Sequence, residues 1–342
     1  MKKKILAGIL TWFCCTAIFA QQKIELKIAT VAPARSPWEI ELKKMAQEWN
    51  KITGGLVSVK FYDTYVLGGD KSVIQKMKPS RPGQRPQIDG AVFNTVGLNE
   101  LAPKAQIFTL AIPFLIQNQK ELDLVLEKHG NFFENEIQKS GCKLLTWSNA
   151  GWLSFYTKDS YSSLGDLKKI KLVCSNDTKD FSDVLKVCGF NVDPVPPSKW
   201  IQNLKSSTGA RGFTAVHLLT HVLGLYKDIS YILDARLCPV MSGFVITEES
   251  WKLIPDKYKP EMLAALEKTR KSLNEALDKM DSDYLSKMLA AGVKKIELSD
   301  KEKSEWANEF HKDAEAVHNA LPNVINIEIY KKIKQLLEPY RK

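Results

Sequence analysis

The stretch that most limits the fold is a strand, a helix and a second strand in immediate succession. Glu25 to Thr30 (ELKIAT) reads as a strand, Pro37-Trp38 opens an amphipathic helix that runs through Trp49 and stops at Gly54-Gly55, and Leu56 to Phe61 (LVSVKF) reads as the next strand. A helix is too long a connection for a hairpin, so the two strands lie parallel with a right-handed crossover. Parallel strands are covered on both faces, which commits this part of the chain to a layered α/β architecture.

The alternation continues. Lys71 to Lys78 reads as a helix, Arg81 to Pro86 as an exposed, mobile loop of Pro, Gly and Arg, and Ile88 to Phe93 as a third strand. Ala111 to Leu115 (AIPFL) is an apolar corner, Glu121 to Lys139 a helix, and Lys143 to Trp147 (KLLTW) the next strand. A second α/β series begins near Trp152, with strands at Ile170 to Cys174 and Asn191 to Val195 and helices at Asp180 to Cys188 and Pro197 to Lys205. Phe244 to Thr247 reads as a strand that crosses back. Pro255 to Ala291 reads as one long helix carrying Met262, Leu266, Leu273, Leu277 and Met288. Such a helix spans about 45 Å or more, enough to brace two lobes.

Met1 to Lys4 carries three lysines in a row, and Ile5 to Phe19 is almost unbroken apolar up to Ala20-Gln21, which predicts a secretory signal peptide over residues 1–20. The run is short of the about 20 residues a membrane span needs, and the mature chain is expected to be exported and soluble. Cys14 and Cys15 offer a competing reading, lipid attachment, against which stand the bulky Trp12 and Phe13. About 320 residues then remain, more than one ordinary core holds, so two α/β domains are expected. Setting aside Lys2, Lys3 and Lys4 reduces 49 basic residues to 46, against 39 acidic. This excess is mild, lysines interleave with glutamates as in Glu302-Lys303-Ser304-Glu305, and a nucleic-acid partner is not expected. Cys142, Cys174, Cys188 and Cys238 follow the leader; their spacing matches no metal motif, and three pairings or none remain open.

The chain carries no G-x-S-x-G elbow, no Walker loop and no H-E-x-x-H, so no catalytic residue and no cofactor is assigned. Leu67-Gly-Gly-Asp70 lacks the third glycine and spaced acid of a dinucleotide site and reads as a tight turn into a helix. His217 and His221 stand four apart in an apolar helical stretch and would share a face. Without a third ligand nearby, a metal site there is the minority reading beside ordinary core or surface histidines.

Several segments together resemble one family in order and spacing. They are Thr30-Val-Ala-Pro33 with Ser36-Pro37, Leu67-Gly-Gly-Asp70, Ile88-Asp89-Gly90 leading to Asn94-Thr95, and Ala111 to Leu115. Lys143 to Trp147 with Asn149 and Gly151, Asp166-Leu-Lys-Lys-Ile-Lys-Leu172, Pro194-Val-Pro196 with Ser198, and Pro239 continue the match. The family is that of the DctP-type solute-binding proteins of TRAP transporters, and the resemblance covers nearly the whole mature chain. It implies an α/β two-lobe periplasmic binding protein fold with hinge strands and a long bracing helix. Such a protein encloses a small molecule by hinge closure and presents it to TRAP membrane subunits. The implied division is residues 21–147 plus 236–254 for lobe I, 148–235 plus 292–342 for lobe II, and 255–291 for the brace.

The same resemblance marks three departures. Such proteins typically hold an organic acid through an arginine in D-L-K-G-L-K-I-R-V, whose guanidinium meets the carboxylate at two points. Aligned without a gap, Val173 takes the place of that arginine, Leu153 takes the place of a second, and an expected asparagine falls near Ala215. A carboxylate entering such a cleft would lose its water without a charged partner, at a cost of several kcal/mol. The expected ligand is therefore hydrophobic or amphipathic, lined by Trp147, Trp152, Leu153, Val173 and Phe213, with Asp70, Asn94 and Asn149 as hydrogen-bonding candidates. Ordinary packing between lobes is the competing reading for each. A shift of one or two residues would let Lys171, Arg211 or Arg236 supply the charge, which keeps an acid-binding subunit as the alternative. Loss of the arginine also resembles the branch that works with a periplasmic TPR-repeat protein, so such a partner is expected.

Overall fold

The computed structural model describes residues 23–81, 83–176 and 179–341, so the signal peptide expected over residues 1–20, with Cys14 and Cys15, lies outside the described residues. Ile24–Thr30 (β1), Pro37–Ile52 (α1) and Val57–Asp63 (β2) form the expected unit, with β1 and β2 parallel and Ile24 level with Val57. The helix starts where Ser36 accepts a hydrogen bond from the Glu39 N–H and Pro37 fills the first helical position. It ends ahead of Gly54 and Gly55, whose φ of 60° and 85° few other residues adopt. Its buried side chains, Trp38, Leu42, Met45 and Trp49, recur every three or four residues and so form one face. Burying those four contributes roughly 6–12 kcal/mol at most, before chain entropy is set against it.

The helices and strands continue as α2 (Gly69–Lys76), β3 (Gly90–Asn94), α3 (Thr95–Leu101), α4 (Gln119–Lys139), β4 (Cys142–Trp152) and β5 (Ser154–Thr157). Then come α5 (Leu164–Lys169), β6 (Leu172–Ser175), α6 (Lys179–Val187), β7 (Val192–Val195), α7 (Trp200–Lys205), β8 (Gly212–Ala215), α8 (His217–Val222) and β9 (Tyr231–Leu233). The last are β10 (Pro239–Thr247), α9 (Glu248–Lys252), α10 (Lys259–Ala290), β11 (Lys294–Ile296), α11 (Asp300–Ala320) and α12 (Ile327–Leu337). They build two sheets, β2-β1-β3-β10-β4 and β11-β9-β5-β8-β6-β7. In the first, β10 runs antiparallel between β3 and β4, so the returning strand is the one foreseen at Phe244 to Thr247, lengthened toward Pro239.

Leu153 alone separates β4 in the first sheet from β5 in the second, and its N–H and C=O bond to Cys238 and Leu237 on the returning segment. The bracing helix is α10, entered by a short 3-10 turn at Asp256–Tyr258. Met262 and Leu266 pack with β1 and α1, Leu277 with the cluster around α4, and Met288 under the second sheet, so one helix ties both sheets together. Among the described residues no helix is long and apolar enough to cross a membrane.

Two features differ from the sequence reading. Residues 292–342 do not all join the second sheet: β11 does, and Trp306 and Phe310 of α11 follow it. Ala314 and Val317 of α11 and all the buried side chains of α12 instead pack with the first sheet, where Arg341 also pairs with Glu121. The apolar stripe along α11 thus changes partner partway. The loop before β3 is also anchored rather than mobile at its end, because Arg85 makes two 2.7 Å bonds to the carboxylate of Asp89. Asp89 is 1% exposed and also accepts from the Lys27 N–H and the Ser250 hydroxyl. Composition of the loop alone hides this anchor.

Candidate functional site

Open α/β sheets take ligands in the crevice outside the carboxyl ends of their parallel strands. Here there are two such edges. One holds the ends of β1, β2 and β3 at Thr30, Asp63 and Asn94, and the other the ends of β6, β7 and β8 at Ser175, Val195 and Ala215. At the first edge the polar side chains mainly secure their own loops. Thr30 accepts from the Ala32 N–H, Asp63 from the Tyr65 and Val66 N–H groups, and Asn94 from the Val96 and Gly97 N–H groups at 3.0 and 3.2 Å. Asn94 is thus the cap of α3, and its amide nitrogen is its remaining donor. Asp70 sits in the first turn of α2, so close to α3 that a Cβ added to Gly97 would come within 3.0 Å of its carboxyl carbon.

The second sheet carries a cross-strand row. Ile232, Tyr156, Phe213, Val173 and Asp193 are level on β9, β5, β8, β6 and β7, and residues in register share a face. Tyr156 and Phe213 stack 4.9 Å apart, Trp200 tilts against Phe213, and Val173 is 1% exposed. Val173, Phe213 and Ala215 are therefore brought together in one apolar cluster, closed from below by Leu204 and Met288. The row ends at Asp193, whose carboxylate accepts from the Asn203 amide at 3.0 Å. Sequence reasoning missed Asp193, because its place beside Val173 depends on strand register.

The other candidates lie elsewhere. Trp147 packs edge-on to Phe133 and donates to Glu134, so it serves the contact of β4 with α4. Asn149 is spent on the Gly151 N–H and on Gln119. Trp152 is buried in the first-sheet cluster with the Arg236 guanidinium 5.5 Å from its ring centroid, while Leu153 occupies the crossing and packs with Phe114 and Phe155. These four residues stand along the strand that joins the sheets and do not gather with Val173.

The histidine pair does not form a metal centre. Nδ1 of His217 bonds to the Tyr156 hydroxyl at 2.5 Å, burial pushes the imidazole down to about 4, and His221 stacks flat on Tyr226. Among the described residues no group of three His, Cys, Asp or Glu could hold a metal. The four described cysteines are free thiols, and burial pushes Cys142, Cys188 and Cys238 up to about 12 and Cys174 to about 11. Of the cations considered as substitutes for the missing arginine, Arg211 pairs with Asp159, Arg236 pairs with Asp278, and Lys171 donates to the Thr208 carbonyl. A groove of about 570 Å³ lined by Lys158, Lys227, Lys294, Tyr226 and Tyr231 lies by the end of β5, at the opposite edge of the second sheet from the crevice.

Residues 28–319 match the family model for bacterial extracellular solute-binding protein, family 7, DctP. A curated "solute-binding protein" of Chromohalobacter salexigens is 23% identical over 292 residues, covering 81% of this chain and 84% of the relative. Among solved structures, a TRAP periplasmic solute-binding protein of Haemophilus influenzae with bound L-gulonate superposes with a TM-score of 0.78. It is 19% identical and the match covers 92% of this chain and all of that one. One from Chromohalobacter salexigens with bound D-glucuronate gives 0.78 at 20% identity over 91% and 99% of the two chains. One from Desulfovibrio salexigens with bound orotic acid gives 0.78 at 17% over 92% and 98%. At these identities the likeness carries the two-sheet fold and not the ligand.

Proposed function

The chain belongs to bacterial extracellular solute-binding protein family 7, and we propose that it is the periplasmic binding subunit of a TRAP transporter, taking an apolar or amphipathic small molecule between its two sheets. Family and structural relatives are solute-binding proteins, not enzymes, which fits a chain without a nucleophile, base and orienter set. The observation that carries the ligand class is the row through Val173. Where the resemblance places a guanidinium there is a valine between a phenylalanine and an aspartate, so a carboxylate would meet apolar surface and a like charge. The acids held by the solved relatives favour the alternative, an acid-binding subunit. Against it, Arg85, Arg211, Arg236, Arg270 and Arg341 are each already paired with a carboxylate of the chain, so an acid would have to be met by Arg35, in the loop after β1, or by Arg81.

In this reading the lobes correspond to the two sheets, and residues 292–342 are shared between them. Ala215, Asp70 and the Asn94 amide meet the ligand at the strand ends, Val173 and Phe213 form the apolar backing, and Trp147, Asn149, Trp152 and Leu153 support the connection. Membrane subunits of the transporter receive the ligand; a periplasmic TPR-repeat partner rests on the missing arginine alone and is checked by co-purification from periplasmic extract. The deciding experiment is native mass spectrometry with solvent extraction of protein purified from the periplasm. A stoichiometric apolar or long-chain molecule is expected; a tightly held hexuronate or dicarboxylate overturns the ligand class and leaves the family in place.

A further inference from the structure

The two sheets' series also touch through side chains that the ligand does not require. α3 follows β3 of the first sheet and α6 follows β6 of the second, and between them Asn99 Nδ2 donates to Asp180 Oδ2 at 3.1 Å. Beside it Phe181 stacks on Phe108 of the 3-10 turn Ile107–Ala111, with centroids 6.3 Å apart and planes 15° from parallel. Val184 recurs at helical spacing behind Phe181 and rests on the first-sheet cluster, Phe181 and Cys188 touch both clusters, and Leu185, on another side of α6, is buried in the second. One helix that begins at the crevice edge of the second sheet is thus seated on the first.

We propose that Asp180 and Phe181 form a clasp on Asn99 and Phe108 that sets the ratio of closed to open forms, and through it the affinity and release rate of the bound molecule. This rests on the capture function above. The contact has the scale of a reversible one: one hydrogen bond and one ring pair, with Val184 packed beside them, and its polar partners return to water when the halves part. Asn99 is only 2% exposed and its Oδ1 is buried with no partner among the described residues, a strain on the closed form that opening relieves. The two opposing tendencies keep the equilibrium within reach of a ligand's differential affinity.

The test uses full-length mature protein, freed of bound molecules by unfolding in guanidinium and refolding, and small-angle X-ray scattering on wild type, Asn99→Ala, Asp180→Ala, Phe181→Ala and the Asp180→Ala/Phe181→Ala pair. The pair is expected to raise the open-to-closed ratio on the order of thirtyfold, the combined scale of the two contacts, and to increase the radius of gyration. Release of the molecule extracted from native protein should quicken by a similar factor, with Phe181→Leu intermediate. If Phe181→Ala fails to fold, the polar cycle at Asn99 and Asp180 carries the same test. Scattering and release rates identical to wild type in folded variants, even with a lower melting temperature, would mean fixed packing and overturn the clasp. Recovery of a sugar acid would end the apolar-ligand reading and leave this one standing, because scattering does not depend on which ligand is carried.

Discussion

Replacing Val173 by arginine puts the row on the second sheet under direct strain. Val173 is 1% exposed and Phe213, its neighbour on β8, is fully buried. The substitution gives up a buried valine, about 1.5–3 kcal/mol, and drives a guanidinium into an apolar cluster. Its in-register charged neighbour is Asp193, already bonded to Asn203, so the new cation finds one imperfectly placed partner. A buried charge so placed costs several kcal/mol, and a net loss of about 3–5 kcal/mol is expected for Val173→Arg. At about 2–4 °C per kcal/mol for larger domains, scanning calorimetry should show the midpoint fall by roughly 6–20 °C. Adding Asp193→Asn should lower it further, whereas Val173→Ala, which leaves only a small cavity, should lose about 1–3 kcal/mol. A Val173→Arg protein that melts with wild type and takes up D-glucuronate at micromolar concentration would refute the reasoning. The guanidinium would then reach the crevice past its apolar backing at no cost, and neither Asp193 nor Phe213 would take part in keeping acids out.

Zinc or EDTA should leave the melting temperature unchanged, since the nearer nitrogen of His217 is engaged by Tyr156; a zinc-dependent rise would restore the metal reading. Reducing agent should likewise change nothing, and native thiols should react with a disulfide reagent far more slowly than after unfolding, because burial holds Cys142, Cys188 and Cys238 near 12. Burial lowers His217 to about 4, so the unfolded chain binds a proton the folded one refuses, and this contribution is lost as pH falls from 6.5 toward 4. Asp281, raised by burial to about 6, works the other way: the folded chain keeps its proton between about 6 and 3.8. Asp281→Asn should therefore raise the melting temperature at pH 8, with the gain gone by pH 4; an equal gain at both pH values contradicts the assignment. Asp89→Asn breaks the bidentate pair with Arg85 and should lose about 2–4 kcal/mol in urea unfolding, less than a fully buried pair because Arg85 is partly exposed.

The parts of the fold that could be read from sequence are those dictated by local periodicity. The unit at β1, α1 and β2 follows from Ser36-Pro37, the spacing of Trp38, Leu42, Met45 and Trp49, and the glycine pair that ends the helix. The long α10 follows in the same way, since no glycine and no later proline breaks it after its first turn. Anchors formed between distant segments stayed hidden. Arg85 lies in a stretch whose prolines and glycine read as loose, and only the return of α9 with Ser250 to Asp89 shows that the segment is tied down. The C-terminal helices misled for a related reason. An apolar stripe reveals that a helix has a buried face but not which neighbour covers it, and α11 changes neighbours along its length.

The candidate site is the sharper case. Alignment by resemblance isolates Val173 as a missing arginine, and on one strand that is all a single position can say. Register adds that Phe213 lies on one side of it and Asp193 on the other, both on the same face. An arginine at this position would be drawn to Asp193 before any ligand reached it, so restoring the guanidinium alone would not restore an acid site. Acid selectivity in such a sheet is then a property of the whole row. Converting this chain toward acids should require Val173→Arg together with Asp193→Asn and a smaller residue for Phe213, and the triple variant should bind D-glucuronate in calorimetric titration where Val173→Arg alone does not. Acid binding by the single variant, equal to that of the triple, would show that Asp193 and Phe213 play no part in the choice.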